Sequence, residues 1–216
     1  ILMQLQRLLA LNIKVLVIDD HITTPEGLMC IHPREVQVGK VAAEFASLVT
    51  PETGRVLVSG GRSDSKIHEG RLNSFCDYIK ENKPGLTLDI IKGYTRKMDR
   101  KGELYRNACE ALDKNDDVCL MYALTSHDNV AFVEALGRRE GDKKVAIIGT
   151  DLNEETLEYL KQKEMVAVID QNPYKKGYMA FNAMVDCLIK KLQVPDVMLC
   201  KIDIALENNA ELYNVQ

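Results

Sequence analysis

Residues 165–191, MVAVIDQNPYKKGYMAFNAMVDCLIKK, contain the change from strand to helix that decides the fold. The apolar run 166–169 predicts a buried strand, and Pro173 suits the first turn of a helix, where a missing N–H costs nothing. Gln171 is therefore expected at the carboxyl end of a strand, the edge where open α/β sheets bind their ligands. Its neutral amide suits a polar small molecule, and capping of a backbone group is the alternative role.

The alternation of apolar strand and amphipathic helix repeats along the chain. Strands of Val, Ile and Leu that are separated by helices indicate a parallel sheet covered on both faces, so we predict a doubly wound α/β protein. The predicted strands are KVLVIDD (14–20), RVLVSGG (55–61), LTLDIIKGY (86–94), DVCLMYAL (117–124), KVAIIGTD (144–151) and MVAVIDQ (165–171). The residues at or just past their carboxyl ends are Asp19, Gly60, Tyr94, His127, Asp151 and Gln171.

Length and composition restrict the kinds of protein that this chain can be. With 216 residues, 46% of them hydrophobic, the chain can bury one large core or two modest ones. A net charge of −4 gives no sign of a nucleic-acid surface within these residues. No apolar run reaches membrane-spanning length, so we expect no membrane partner.

The six cysteines bear on the cellular compartment and on metal binding. They are scattered over predicted strands and helices, without CxxC pairs and without histidines at metal spacing. We therefore expect small core residues in a reducing, cytoplasmic compartment, with no metal site and no cofactor. The cysteines are Cys30, Cys76, Cys109, Cys119, Cys187 and Cys200.

The order of the sequence pieces resembles that of a known family. The pieces are VLVIDD, HPREVQVGKVAAEFA, VSGG, HEGRLNSF, TSHDNVAFVEAL, IIGTD and IDQNPYKKGY, and together they span essentially the whole chain. This order resembles type I periplasmic sugar-binding proteins and the effector domains of LacI/GalR-type repressors. The resemblance implies two Rossmann-like lobes with parallel sheets and a ligand cleft between them. It places residues 1–33 and 172–203 in the amino-terminal lobe, with upstream residues absent, and residues 34–171 and 204–216 in the carboxyl-terminal lobe.

The same resemblance implies a sugar site made of strand-end residues. Sugars bind through hydrogen bonds from planar side chains, above all Arg and carboxylate, with an aromatic face against the ring. Structural alternatives stay open for three of these residues: Arg71 as a solvated helix charge, Tyr94 as ordinary packing and Asp151 as a helix cap. The implied site residues are Asp19, Arg71, Tyr94, His127, Asp128, Asp151 and Gln171.

Three residues depart from the family pattern. His127 stands where Asn is usual, and it can change charge near neutral pH. Asp20 stands where sugar-binding members often have Arg, and Arg34 stands where an acidic residue is common. These departures predict a pocket that is more anionic on one side than a simple pentose or hexose site.

The resemblance implies a binding protein, and two functions remain open for it. The first is the effector-binding domain of a LacI/GalR-type transcription regulator, a homodimer that binds a sugar or sugar derivative and contacts DNA through an upstream helix-turn-helix. The second is an extracytoplasmic solute-binding protein of a sugar ABC transporter. The six scattered cysteines favour the regulator, because an oxidising compartment would threaten mispairing.

Other functions fit the sequence less well. KVLVIDDH resembles the acidic pair of a response-regulator receiver domain, but no Asp follows the next parallel strands at the phosphoacceptor place. No G-x-S-x-G elbow, GxGxxG motif or P-loop follows a predicted strand. We therefore predict that the chain is not an enzyme.

Overall fold

The computed structural model describes residues 2–19, 26–62, 64–91, 100–139 and 144–213. A strand overlaps each of the six predicted segments, and the predicted α/β class with largely parallel sheets is confirmed. In chain order the elements are α1 (Leu2–Ala10), β1 (Val15–Ile18), β2 (Leu28–His32), α2 (Glu35–Val49), β3 (Gly54–Ser59), α3 (Lys66–Asn82), β4 (Leu86–Ile91), α4 (Arg100–Lys114), β5 (Val118–Tyr122), α5 (Ser126–Gly137), β6 (Ala146–Thr150), α6 (Glu154–Lys161), β7 (Ala167–Asp170), α7 (Pro173–Leu188), β8 (Val197–Leu199), β9 (Asp203–Ala205) and a 3₁₀ helix (Glu207–Leu212).

The chain folds into two compact units, each assembled from two segments. Unit 1 comprises Ile1–Arg34 and Gln171–Ile202, and unit 2 comprises Glu35–Asp170 and Asp203–Gln216. No helix among the described residues combines the length and the apolar character that a membrane span requires.

Unit 1 contains a small parallel sheet in the strand order β1-β2-β8. Helix α7 packs on it, with Ala180 against Ile31 and Cys200. The helix begins as the sequence predicts, with Pro173 in its first turn. Asn172 is the N-cap residue, has a left-handed backbone (φ 51°) and accepts a 3.0 Å hydrogen bond from the Lys175 N–H.

Unit 2 contains a larger sheet in the strand order β4-β3-β5-β6-β7-β9, with helices packed against it. The strands from β4 to β7 are parallel, whereas β9 runs antiparallel to β7. The strands β2, β8 and β9 were not among the predicted ones. Two of these, β8 and β9, have three residues each, too few for a periodic pattern to reveal.

Gly39 brings helix α2 close to helix α3. A Cβ at this position would lie 2.2 Å from both the Arg71 carbonyl oxygen and the Ser74 hydroxyl. No side chain fits there, so only glycine permits this approach. The close packing fixes the segment of α3 that carries Arg71.

Candidate functional site

Polar side chains collect where the strands of unit 2 end. The strands β3, β5, β6 and β7 are neighbours and run in the same direction, so their carboxyl ends lie along one edge of the sheet. The polar residues at this edge are buried, which requires each of them to find a hydrogen-bond partner. They are Ser59, Thr125, Asp128, Asn129, Thr150 and Asp170.

Ser59 links the end of β3 to the first turn of α5. Its hydroxyl donates a 2.6 Å hydrogen bond to Asp128 Oδ2 and accepts a 2.8 Å hydrogen bond from the Leu124 N–H. Burial raises the pKa of Asp128 to about 6, against the lowering effect of hydrogen bonds from the Ser59 and Thr125 hydroxyls. The Asp128 side chain is therefore held in place in the interior, at the edge where the strands end.

His127 and Asp128 are adjacent in sequence but differ in environment. Asp128 is fully buried, whereas His127 is exposed on the same helical turn. The predicted polar pair is therefore divided between the interior and the surface of α5.

Arg71 is buried in α3, with 2% of its surface exposed, so the alternative of a solvated helix charge is wrong. Its Nε and Nη2 atoms donate to Glu35 Oε2 at 3.1 and 2.7 Å, and Nη1 donates to the Leu124 carbonyl oxygen. Burial alone would lower the pKa of Arg71, but the charges of Glu35 and Asp151 act the other way, and the net shift is upward. A charged guanidinium is thus held between α2 and the end of β5.

Tyr122 extends this cluster at the end of β5. Its ring stacks on Phe75 of α3, with centroids 4.3 Å apart and planes inclined by 22°. Burial raises the pKa of Tyr122 to about 12, while the Arg71 charge lowers it. The hydroxyl therefore stays protonated, as a neutral neighbour of the guanidinium.

The end of β6 is fixed by Asn129. The Asn129 amide donates to the Thr150 carbonyl oxygen at 2.9 Å and accepts from the Thr150 N–H at 3.2 Å. A Cβ on Gly149 would lie 2.6 Å from Asn129 Oδ1, so glycine is required for the amide to reach the strand.

Asp151 follows β6 directly and is half-buried. Its backbone is left-handed (φ 66°), and its N–H donates to the Ile169 carbonyl oxygen at 3.0 Å. Asn153, rather than Asp151, is the N-cap of α6, with its side chain accepting from the Thr156 N–H at 2.8 Å. The alternative role of Asp151 as the helix cap is therefore wrong.

Two predicted residues lie in unit 1. Gln171 opens the second segment of this unit and is 8% exposed. Asp19 follows β1, where its N–H donates to the Ile31 carbonyl oxygen at 2.9 Å and its carboxylate forms an ion pair with Lys176 of α7. Lys176 is almost fully buried, and the sequence did not single it out.

The structure thus groups Arg71, Asp128 and Asp151 at one edge of unit 2, and Asp19 with Lys176 in unit 1. Tyr94 and Asp20 lie outside the described residues. Sequence reasoning missed the partners Glu35, Ser59, Asn129 and Lys176. Glu35, at the start of α2, and Ser59, at the end of β3, occupied recognisable positions, but only the fold shows what they contact.

Among the described residues, none of the six cysteines is paired in a disulfide; four of them are buried and two (Cys119 and Cys187) are half-buried. In the part of the chain that the structure describes, no three His, Cys, Asp or Glu side chains are grouped so as to hold a metal ion.

Comparison with known proteins adds a family model and several similar structures. The model described as a periplasmic binding protein domain matches residues 3–192. No curated protein sequence matches the chain.

Among solved structures, a periplasmic ribose ABC transporter from Conexibacter woesei is 16% identical, with a TM-score of 0.85 over 98% of this chain and 70% of that one. GanP, a glucose-galactose binding protein from Geobacillus stearothermophilus, is 21% identical, with a TM-score of 0.79 over 94% of this chain and 71% of that one. A Bacteroides fragilis protein described as a LacI transcriptional regulator is 20% identical, with a TM-score of 0.82 over 97% of this chain and 72% of that one. At these identities the likeness establishes the fold, which matches type I periplasmic binding protein-like structures.

Proposed function

Because this chain belongs to the periplasmic binding protein domain family, we propose that it binds a small polyhydroxylated ligand, a sugar or sugar derivative. The observation that carries the proposal is the charged cluster at the strand ends of unit 2. There the buried Arg71 guanidinium, held by Glu35, lies within electrostatic reach of the half-buried Asp151 carboxylate. Sugars are recognised by such planar, charged hydrogen-bonding groups.

Arg71 and Asp151 would have different roles in this site. The guanidinium has five N–H groups, of which three bond Glu35 and Leu124 among the described residues, and the other two would serve ligand hydroxyls. Asp151 is less buried and supplies acceptor oxygens. Together the two residues offer a donor and an acceptor, the two kinds of group that sugar hydroxyls can bond.

The names of similar structures support the ligand class. GanP is named as a glucose-galactose binding protein, and another similar structure, AraP from the same species, as an arabinose binding protein. Pentoses and hexoses are therefore the first ligands to test, although the departures at His127, Asp20 and Arg34 favour a sugar derivative.

Calorimetry with D-ribose, L-arabinose, D-glucose, D-galactose and D-allose tests the proposal. The Asp151→Asn variant keeps a side chain that tolerates the left-handed backbone but loses the charge, so we expect at least tenfold weaker binding of the preferred sugar. Asp77→Asn, on the exposed side of α3, is the matched control and should bind normally. If the wild-type protein binds none of these sugars or their acid and amino derivatives, the proposed function is wrong.

At a finer level, we propose that the chain is the effector-binding domain of a LacI/GalR-type regulator. In this proposal it works in the cytoplasm as a homodimer, and the sugar changes the DNA affinity of a helix-turn-helix outside these 216 residues. Six cysteines without a disulfide in the described structure support it, because a reducing compartment keeps thiols from oxidising to disulfides.

A solute-binding protein of a sugar ABC transporter is the second candidate, since the similar structure from Conexibacter woesei is named as a periplasmic ribose ABC transporter. Thiol titration of the protein from its native host, denatured without reductant, separates the two. Six reactive thiols per chain would support the regulator. Two or three disulfides would contradict the regulator and support the solute-binding protein.

A further inference from the structure

Lys176 occupies a position in α7 that faces the interior of unit 1. The buried residues of this helix are Lys176, Ala180 and Ala183, spaced by four and three residues, so they share one face. Lysine is almost never fully buried unless it is paired. A charge at this position therefore needs a partner.

Its partner is Asp19, at the carboxyl end of β1. The two side chains differ sharply in exposure, with 4% of Lys176 and 55% of Asp19 accessible to solvent. Asp19 has a left-handed backbone (φ 67°), and its N–H donates to the Ile31 carbonyl oxygen, so the backbone that carries the carboxylate is fixed. The pair presents a carboxylate to solvent with a cation buried behind it.

The buried ammonium changes what this carboxylate can select. A carboxylate without a partner attracts cations, whereas a neutralised one still accepts hydrogen bonds from hydroxyl groups. We propose that Lys176 is a specificity-determining residue that neutralises Asp19, so that this carboxylate of unit 1 accepts hydrogen bonds from neutral sugars in preference to attracting their cationic amino derivatives. This inference rests on the proposed sugar-binding function.

The test compares two neighbouring lysines. Lys176→Met keeps an unbranched side chain of similar length, and Lys175→Met, on the exposed neighbour, is the matched control. Calorimetry measures the affinities of D-ribose, D-glucose and D-galactose, each beside its 2-amino-2-deoxy analogue. We expect the neutral-to-amino affinity ratio to fall about tenfold or more in Lys176→Met and to stay unchanged in Lys175→Met.

Two further variants separate specificity from folding. Lys176→Arg should restore the wild-type ratio, and Asp19→Asn combined with Lys176→Met should abolish the gain for amino sugars, because the unpaired carboxylate is gone. Lys176→Gln is measured in the same way, so that the test does not depend on one folded variant. An unchanged ratio in folded Lys176→Met or Lys176→Gln overturns this inference alone. Absence of any sugar binding by the wild-type protein overturns the proposed function and this inference with it.

Discussion

Ser59 and Asp128 are separated by 69 positions in sequence, yet the Ser59 hydroxyl donates a 2.6 Å hydrogen bond to the buried Asp128 carboxylate. The same hydroxyl accepts from the Leu124 N–H, and the Leu124 carbonyl oxygen accepts from Arg71. One peptide segment at the end of β5 is therefore held from both sides, by a neutral hydroxyl and by a guanidinium. This chain of bonds makes the carboxyl edge of unit 2 a rigid support for the groups that we propose contact ligand.

Ser59→Ala should destabilise the protein by about 2–3 kcal/mol, because it leaves a buried carboxylate oxygen and a buried N–H without their partner. Urea unfolding followed by circular dichroism measures the loss. Ser47→Ala is the control, since that hydroxyl bonds the Ala43 carbonyl oxygen of its own helix and should matter little. Equal losses for the two variants would contradict the importance of the Ser59 bonds.

The buried Asp128 should make stability fall as pH rises. Its pKa is raised from 3.8 to about 6 in the folded protein, chiefly by burial. Between about pH 4 and pH 6 the folded state holds a proton that the unfolded state has lost, so stability declines across this window. The decline is at most roughly 3 kcal/mol for a shift of this size. Asp128→Asn should lack it, and an identical pH profile in both proteins would show that Asp128 does not titrate there.

His68 should produce the opposite slope in nearly the same window. Burial, helped by the charges of Arg71 and Arg62, lowers the pKa of His68 from 6.5 to about 4. As pH falls through this range the unfolded state gains a proton that the folded state refuses, so stability is lost on acidification. His68→Asn retains an acceptor for the Arg62 N–H and should remove this slope. If urea unfolding of the variant has the wild-type pH dependence, His68 is not the group responsible.

The opposite effects of Asp128 and His68 on the pH dependence of stability could not be predicted from the sequence. The alternation of apolar runs and amphipathic helices was enough to predict the α/β class, because strand and helix periods are local properties. Burial depends instead on which helical face meets the sheet. His127 and Asp128 were predicted as one polar pair, and only the packing of α5 shows that one is exposed and the other enclosed.

The partners of the charged residues were equally hidden. Glu35 lies 36 positions before Arg71, and Asp19 lies 157 positions before Lys176, so no local pattern connects them. The strand-end positions themselves were predictable, since β-rich runs end in polar residues at regular intervals. The sequence does not show which distant segments pack against each other, and it is this packing that brings the two charges of each pair together.

Arg71→Ala should weaken binding of the preferred sugar by about thirtyfold or more, since a buried charged hydrogen-bonding partner contributes roughly 2–4 kcal/mol. Loss of the Glu35 ion pair will also lower stability, so calorimetry is done at a temperature where circular dichroism shows the variant folded. Arg138→Ala removes an exposed ion pair with Asp113 and serves as the control. Wild-type affinity in folded Arg71→Ala would mean that the guanidinium only supports the fold.

The two members of the Lys176–Asp19 pair should differ in their effect on stability. Asp19→Asn leaves an ammonium buried without a counter-charge, and we expect it to cost about 2 kcal/mol or more. Lys176→Met leaves a carboxylate that is 55% exposed and can be hydrated, so its cost should stay within about 1 kcal/mol. The double variant should recover stability relative to Asp19→Asn, because the uncompensated charge is removed.

A solvent-exposed ion pair at the carboxyl end of α7 calibrates this comparison. Lys190 and Asp186 form an i,i+4 ion pair, and Asp186→Asn should change the free energy of unfolding by no more than about 0.5 kcal/mol. Urea unfolding of the wild type, the two single variants of the Lys176–Asp19 pair and the double variant gives a double-mutant cycle for that pair. Asp186→Asn is measured in the same way as the exposed reference. If Lys176→Met costs more than Asp19→Asn, the ammonium is stabilised by its surroundings independently of Asp19, and the carboxylate cannot be what holds it in the interior.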